Sequence, residues 1–332
     1  MKGKDYTSCV TVAKLSMVTV LLLSLLTGCG ENEESNELPK LLWQPTAPTG
    51  TTFIQVILAT PDDRLYIGTS GDGILRSDNG GNSWVRSGLE GYMIRSLVRS
   101  GSMLFAGTGV KRTSEYGRLI YREGGLFRSD DGGLHWTLLG FEKNEVLVFV
   151  FGTTIYAIVS GPSISGIFRS DDNGDTWHQI PGISAPARMG LHPMAEVNGA
   201  LFLVNWDGLF RSTDQGKTWQ ALEFDRWAWE VCSGNSEIFV VRYVGGKQKM
   251  IYRSTDLGET WTPIGYLELP SSFLVLDTTL YVGVRGVVRW SEDGGWELVG
   301  LEDYDISSLS VSDNYFYAAT WSGKVFKTKL PR

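Results

Sequence analysis

Four aspartates, Asp131, Asp172, Asp214 and Asp256, each stand two residues after a Ser and five before a Trp. Paired carboxylates cleave glycosidic bonds, one as general acid and the other as base or nucleophile, so a chain with this many regularly placed Asp invites reading as a hydrolase. The spacing argues otherwise. The Asp belong to "GLFRSDDGGLHW" from residue 125, "GIFRSDDNGDTW" from 166, "GLFRSTDQGKTW" from 208 and "MIYRSTDLGETW" from 250, with further copies "GILRSDNGGNSW" from 73 and a shortened "VVRWSEDGGW" from 287. A unit repeated so often cannot carry an active site in every copy. Its residues suit a turn instead: Ser and Asp hydrogen-bond the backbone of their own hairpin, Gly permits a positive φ, and Trp84, Trp136, Trp177, Trp219 and Trp261 cover the hairpin base. Arg76, Arg128, Arg169, Arg211, Arg253 and Arg289 recur at one place just before the turn and read as packing.

Other chemistry is sparse. Cys9, Cys29 and Cys232 are the cysteines and His135, His178 and His192 the histidines. No Cys-x-x-Cys or His-x-x-x-His spacing exists, so neither a zinc site nor an intrachain disulfide is expected. No phosphate-binding Gly loop and no nucleophile elbow occurs. No cofactor and no metal is expected.

The elements that position the repeat are strands. With 40 Gly in 332 residues and abundant aromatics, the composition favours β structure. Ahead of each turn lies a short apolar segment: "LYIGT" (65–69), "LFAGT" (104–108), "IYAIV" (155–159), "LFLVN" (201–205), "IFVVR" (238–242), "LYVGV" (280–284) and "FYAAT" (316–320). Another apolar run, such as "FIQVILA" or "VLVFVF", precedes each of these across a turn. The unit is therefore four strands, and there are seven units. The last one stops at "GKVFKTKLPR" without a turn motif or Trp, while "KLLWQP" at 40–45 places Trp43 ahead of a short strand. These features predict an all-β, single seven-bladed β-propeller of four-stranded blades, its ring closed by an N-terminal strand that hides the open sheet edges.

Formal net charge is −7. The first 28 residues carry Lys2, Lys4 and Lys14 against Asp5, so the remainder stands near −9, a surface that repels nucleic acid and anionic lipid. The three Lys precede the apolar run "LSMVTVLLLSLL" (15–26), short for a membrane span and built like a secretory signal. "LTGC", Leu26 to Cys29, resembles the bacterial lipobox, whose Cys is acylated and becomes the first mature residue. The charged stretch "GENEESNELPK" after it is too poor in apolar groups to fold. The expected organisation is a signal at 1–28, a tether at 29–39 and the propeller at 40–332. With Gly30 rather than Asp after the Cys, lipoprotein sorting implies the outer membrane.

Ser-x-Asp-x-Gly-x-Thr-Trp resembles the Asp-box, or BNR repeat, of sialidases, sortilin-like receptors, xyloglucanase-type glycosidases and photosystem II assembly-factor-like propellers. Ser170–Trp177, Ser212–Trp219 and Ser254–Trp261 match in full. Asn79 occupies the Asp position of one copy, His135 the Thr position of another, and the sixth lacks a residue between Gly295 and Trp296. The resemblance implies that the boxes lie on one face, and that the loops joining second to third strands and leaving fourth strands form the other. Candidate ligand-binding residues on that variable face are Trp206, Asp207, Arg226, Trp227, Trp229, Arg285, Tyr304, Asp305 and Trp321, with Asp72 and Arg122 as further loop charges. Trp beside Asp and Arg can stack on a sugar or grip a peptide.

The same resemblance sets demands for catalysis that the chain does not meet. A sialidase needs an Arg triad, an Arg-Ile-Pro segment and a Tyr nucleophile paired with Glu, and no Arg-Ile-Pro occurs. A xyloglucanase-like enzyme needs two propellers facing a cleft, and this chain has room for one. The expectation is a lipid-anchored, monomeric, non-catalytic propeller for a glycan or envelope-protein partner. A carbohydrate-active hydrolase and a photosystem II assembly-factor-like protein are the alternatives.

Overall fold

The boxes turn each sheet back on itself at one end, and the strands between them follow the chain in order. The computed structural model describes residues 41–115, 118–122, 124–161, 164–185, 192–224 and 227–330. After β1 (Gln44–Pro45), the first sheet holds β2 (Ile54–Ala59), β3 (Leu65–Thr69), β4 (Ile74–Ser77) and β5 (Val85–Arg86). The second holds β6 (Ile94–Ser100), β7 (Met103–Thr108), β10 (Leu126–Ser129) and β11 (Thr137–Gly140), with a two-stranded ribbon of β8 (Lys111–Glu115) and β9 (Arg118–Arg122) inserted after β7. The third is β12 (Glu145–Phe151), β13 (Thr154–Ser160), β14 (Gly166–Ser170) and β15 (His178–Gln179). The fourth is β16 (Met194–Val197), β17 (Ala200–Asn205), β18 (Gly208–Ser212) and β19 (Gln220–Ala221). The fifth is β20 (Ala228–Gly234), β21 (Glu237–Gly245), β22 (Gln248–Ser254) and β23 (Thr262–Glu268). The chain ends in β24 (Ser272–Leu276), β25 (Thr279–Ser291), β26 (Gly295–Val311), β27 (Tyr315–Thr320) and β28 (Val325–Lys329).

These last five strands correct the blade count. The protein is an all-β propeller with five four-stranded blades, not seven. Where two further blades were expected, one six-stranded sheet runs β1-β28-β27-β26-β25-β24. The reason lies in the linkers. Between "LYVGV" and "VVRW" stand only Arg285 and Gly286, so β25 continues as one 13-residue strand. Neither Gly nor Pro interrupts Leu301 to Ser307, so the 17-residue β26 carries on into the next apolar run. A register shift between Arg285 and Val287 absorbs the mismatch. At the other end of the sheet, β1 pairs antiparallel with β28, Gln44 opposite Lys327.

Second strands such as β3 and β17 are buried along their length, because a neighbouring sheet covers each face. That explains a continuous apolar run rather than alternation. It also explains the Gly of "LYIGT" and "LFAGT": a Cβ on Gly68 would lie 2.5 Å from Ile94 Cγ2, and one on Gly107 would lie 2.4 Å from the Val146 carbonyl. The core is a series of apolar layers between successive sheets, for example Tyr66, Ile74, Ile94, Leu97, Ala106 and Phe127.

Four of the six recurring arginines staple one sheet to the next, while Arg253 pairs with Glu237 and Arg289 with Glu297. Arg76 Nη1 donates to Gly132 O (3.1 Å), Arg128 to Asn173 O (2.9 Å), Arg169 to Gln215 O (2.8 Å) and Arg211 to Leu257 O (2.8 Å). Each acceptor is the first of two left-handed residues in the following box, with φ of 72°, 60°, 60° and 58°. Such a turn points its carbonyl away from its own hairpin, and a guanidinium from the adjacent sheet meets it.

Candidate functional site

Antiparallel order within each sheet puts the β4–β5, β14–β15 and β18–β19 boxes at one end and the second-to-third-strand turns at the other. At this second end, three Trp outside the box repeat come together between the fourth and fifth sheets. Val204, Asn205, Trp206, Trp227, Ala228, Trp229, Tyr243, Gly246, Lys247, Lys249 and Leu269 line a groove of about 340 Å³.

Each wall follows from local sequence. Trp206 and Asp207 form the two-residue turn between β17 and β18, with Asn205 opposite Gly208. The Asn205 side chain holds that turn: its Oδ1 accepts from Asp207 N (2.8 Å) and its amide donates to Ser184 O (3.0 Å). This leaves Trp206 51% exposed. Trp227, 56% exposed, stands at the entry to β20, where its carbonyl accepts from Tyr243 N (3.0 Å). The fifth sheet has the taller wall, because β21 runs nine residues to a Gly245-Gly246-Lys247 turn in which Gly246 takes φ 59°. That height carries Tyr243, Lys247 and Lys249 over the groove. Lys249 Nζ lies 5.5 Å from the centre of the Trp229 ring, a cation–π arrangement.

The groove therefore combines exposed aromatic faces with two ammonium groups, and no carboxylate lines it among the described residues. It offers stacking and positive charge, not acid–base chemistry by paired carboxylates.

The remaining candidates lie elsewhere. Arg285 and Asp305 are exposed and face each other across β25 and β26 in the six-stranded sheet. The Asp305 carbonyl accepts from Trp321 N (3.0 Å), and Trp321 is half-buried at the β27–β28 turn. Tyr304 packs on Phe326 (4.7 Å between ring centres) beneath Lys324 (4.8 Å). No lining residue of the aromatic groove comes from this set. Asp207 is exposed beside Trp206. Arg226, Arg122 and Cys29 fall outside the described residues or side chains. Asp72 accepts from Thr51 Oγ1 (2.7 Å).

The boxes hold the chemistry of a turn. Ser170 Oγ donates to Asp172 Oδ1 (2.8 Å) and accepts from Gly174 N (2.8 Å), while Thr176 donates through N (2.9 Å) and Oγ1 (2.5 Å) to the same carboxylate. The Thr176 hydroxyl and amide hold the Asp172 carboxyl down to about 2, and Thr218 and Thr260 do the same for Asp214 and Asp256. In the Asp131 copy the His135 amide is the main cause, with its ring 2.7 Å from the carboxylate. Permanently ionised carboxylates of this kind make poor general acids. Burial lowers His192 to about 4 and raises the Cys232 thiol, so neither is charged at neutral pH. Among the described residues no group of three or more His, Cys, Asp or Glu is placed to hold a metal ion.

Tyr243, Lys247, Lys249 and Leu269 were missed in the sequence. The available signal was length: "VVRYVGGKQKMIYRS" joins a nine-residue β21 to a seven-residue β22, with Gly-Gly near its tip.

Residues 140–263, which include all the Trp of the groove, match the DUF6242 beta propeller domain. A xyloglucanase of Paenibacillus sp is 29% identical in an alignment 222 positions long that covers 58% of this chain and 19% of that protein, so the match spans about a fifth of the relative's length. The solved structure of YCF48 bound to D1 peptide superposes with a TM-score of 0.63 at 11% identity, covering 88% of this chain and 97% of that one. The GH74 enzyme of Niastella koreensis gives 0.61 at 14% identity, covering 86% and 53% respectively. These likenesses show the β-propeller fold.

Proposed function

We propose that the protein is a non-catalytic binding propeller of the cell envelope, holding a glycan or protein partner in the groove between its fourth and fifth sheets. One observation carries this reading: Trp206, Trp227 and Trp229, none of them part of the box repeat, converge on one groove with no carboxylate in its described lining. Exposed Trp clustered in a concavity is a recognition surface, because each ring contributes large contact area at little entropic cost. A propeller of this fold accepts a peptide in the YCF48 structure, which supports the reading by analogy. The "LTGC" segment supports a lipid anchor on Cys29.

The test is a screen of glycans and envelope proteins against wild type, Trp206→Ala and Trp227→Ala. Loss of at least about ten-fold in affinity is expected for each variant, with the thermal midpoint unchanged because both rings are more than half exposed. Ligand binding untouched by both substitutions overturns the assignment. The relation to a xyloglucanase favours hydrolysis as the second reading. Turnover of a β-glucan abolished by Asp207→Asn or Asp305→Asn is the result that establishes it.

A further inference from the structure

We propose that the outer edge of β23 is a docking site for an extended segment of a partner polypeptide, which adds to the fifth sheet as a further strand and sets a Lys or Arg against Glu268. This surface is distinct from the groove, whose lining includes no residue of β23. Three observations lead to it.

The first is length. In the first four sheets the outer strands are short: β5, β15 and β19 have two residues each and β11 has four, whereas β23 has seven. A short outer strand keeps a sheet from recruiting foreign strands. The fifth sheet gives up that protection, for β23 stands last in the order β20-β21-β22-β23 with no strand beyond it.

The second is the direction of the backbone groups. Leu269 N donates to Lys247 O (3.0 Å), and Leu267 lies opposite Lys249. Leu267 and Leu269 therefore turn their N–H and C=O groups toward β22, and the alternation of an antiparallel ladder turns those of Tyr266 and Glu268 outward. No group among the described residues meets them. The lower half of the strand is closed, because Pro263 has no N–H to offer and the Ile264 carbonyl accepts from Trp296 Nε1 (2.9 Å). What stays open is a short ladder from Tyr266 to Glu268, and outward N–H and C=O groups at alternate residues match the backbone of another extended chain.

The third is the side chains beside that ladder. Tyr266 and Leu269 are each 56% exposed and offer apolar contact. Glu268 is exposed as well. The nearest strand does not neutralise it: Gln248 lies opposite, and the neighbouring Lys249 directs its ammonium to the Trp229 ring at 5.5 Å. A cation on the incoming strand finds its partner in Glu268, while an acidic strand is repelled. The net charge of −7 likewise disfavours a second copy of this chain at the edge.

The experiment uses the detergent-solubilised full chain and two capped peptides, one of alternating Val and Lys and one of alternating Val and Glu, with hydrogen exchange followed at single amides. At saturation the Val-Lys peptide is expected to slow exchange at Tyr266 and Glu268 by about ten-fold or more, and the Val-Glu peptide to leave both amides nearly unchanged. Glu268→Lys alters an exposed side chain and should invert the preference, cutting affinity for the Val-Lys peptide by about three- to ten-fold. A Val-Lys peptide methylated on every backbone nitrogen keeps the charges but cannot donate to the ladder, and it should not bind. Equal binding of the methylated peptide, exchange at Tyr266 and Glu268 unaltered by the Val-Lys peptide, or a Glu268→Lys protein that behaves as wild type would each overturn the proposal. Slow exchange at the same two amides in concentrated protein alone, with a doubling of mass, would give the edge to a second copy and overturn it too. Trp206→Ala separates this surface from the groove. Binding at the edge persists in that variant, whereas a peptide lost with Trp206 sits in the groove, which leaves the groove standing as a binding site and removes the edge.

Discussion

The ammonium of Lys327 donates to the carbonyl of Gly80 at 2.7 Å, joining residues 247 positions apart. In "GKVFKT", Lys327 holds the place that Arg holds in "GLFRS", and Gly80, with φ 63°, holds the place of Gly132 in its box. The staple that links neighbouring sheets along the chain therefore also links the last sheet to the first. A charge-assisted bond of this kind contributes about 1–2 kcal/mol net. Lys327→Ala is expected to lower the unfolding free energy by about that amount in a urea titration, and Lys327→Arg to retain most of it. The exposed Arg86→Ala should stay within about 0.5 kcal/mol of wild type. Equal stability of Lys327→Ala and Arg86→Ala removes the staple from the energetics of the fold.

The boxes make acid sensitivity predictable in sign. Asp172, Asp214 and Asp256 titrate near 2 when folded, against about 3.9 in an unfolded chain. A carboxyl depressed on folding stabilises above its unfolded value, and that stability is lost as pH falls toward the folded one. The thermal midpoint should therefore drop between about pH 4 and pH 2 beyond what other groups cause. A protein with Asp172→Asn, Asp214→Asn and Asp256→Asn should be less stable at pH 7 and show a shallower fall in that window. An unaltered slope in the triple variant counts against the boxes as its source.

These relationships also show what a single sequence reveals. The box residues are legible because the side-chain hydrogen bonds of Asp172 and Ser170 lie within their own hairpin, a few residues away. The groove aromatics were legible as Trp that break the repeat. Tyr243 and Lys249 were not, because what matters is how far the β21–β22 hairpin rises above its neighbours. The count of blades failed at Arg285 and Leu301, where periodicity marks strands but does not say whether a strand stops. The role of the recurring Arg was half legible: position suggested packing, but its partner, such as Gln215 O for Arg169, lies in the next sheet.

Close approach of sheets makes two glycines respond oppositely. A Cβ at Gly107 would lie 2.4 Å from Val146 O and 2.5 Å from Ser96 Oγ, and that hydroxyl already accepts from Val148 N (2.9 Å). Gly107→Ala should push the second and third sheets apart and cost about 1–3 kcal/mol. Gly71, with nothing within 4 Å of its would-be Cβ and no positive φ, should accept Ala without loss. Chemical denaturation of the two variants decides it, and similar stabilities would show that the sheets yield more readily than this geometry implies.

The last prediction concerns the strap that precedes the first sheet. Trp43 packs on Phe316 (5.1 Å between ring centres), and its indole donates to Val299 O (3.3 Å). Four residues on, Ala47 donates to Gly81 O (2.8 Å) and accepts from Trp84 Nε1 (3.2 Å), while Thr46 N donates to Val325 O (2.9 Å). One short segment thus grips the six-stranded sheet with Trp43 and the first sheet with Ala47. Because β1 contributes only two residues of ladder, its hold rests largely on side chains, the buried Leu41 and Trp43 packed beside it. Trp43→Ala is expected to cost about 2–4 kcal/mol, as truncating a largely packed aromatic does. Leu42→Ala, at 80% exposure, should change almost nothing. Deleting residues 41–47 removes β1 and leaves β28 as an unpaired edge, so that protein should aggregate on storage as well as melt earlier. Thermal melts and light scattering on the three proteins check the whole chain of reasoning. If the deletion stays monomeric and melts with wild type, the strap holds nothing together.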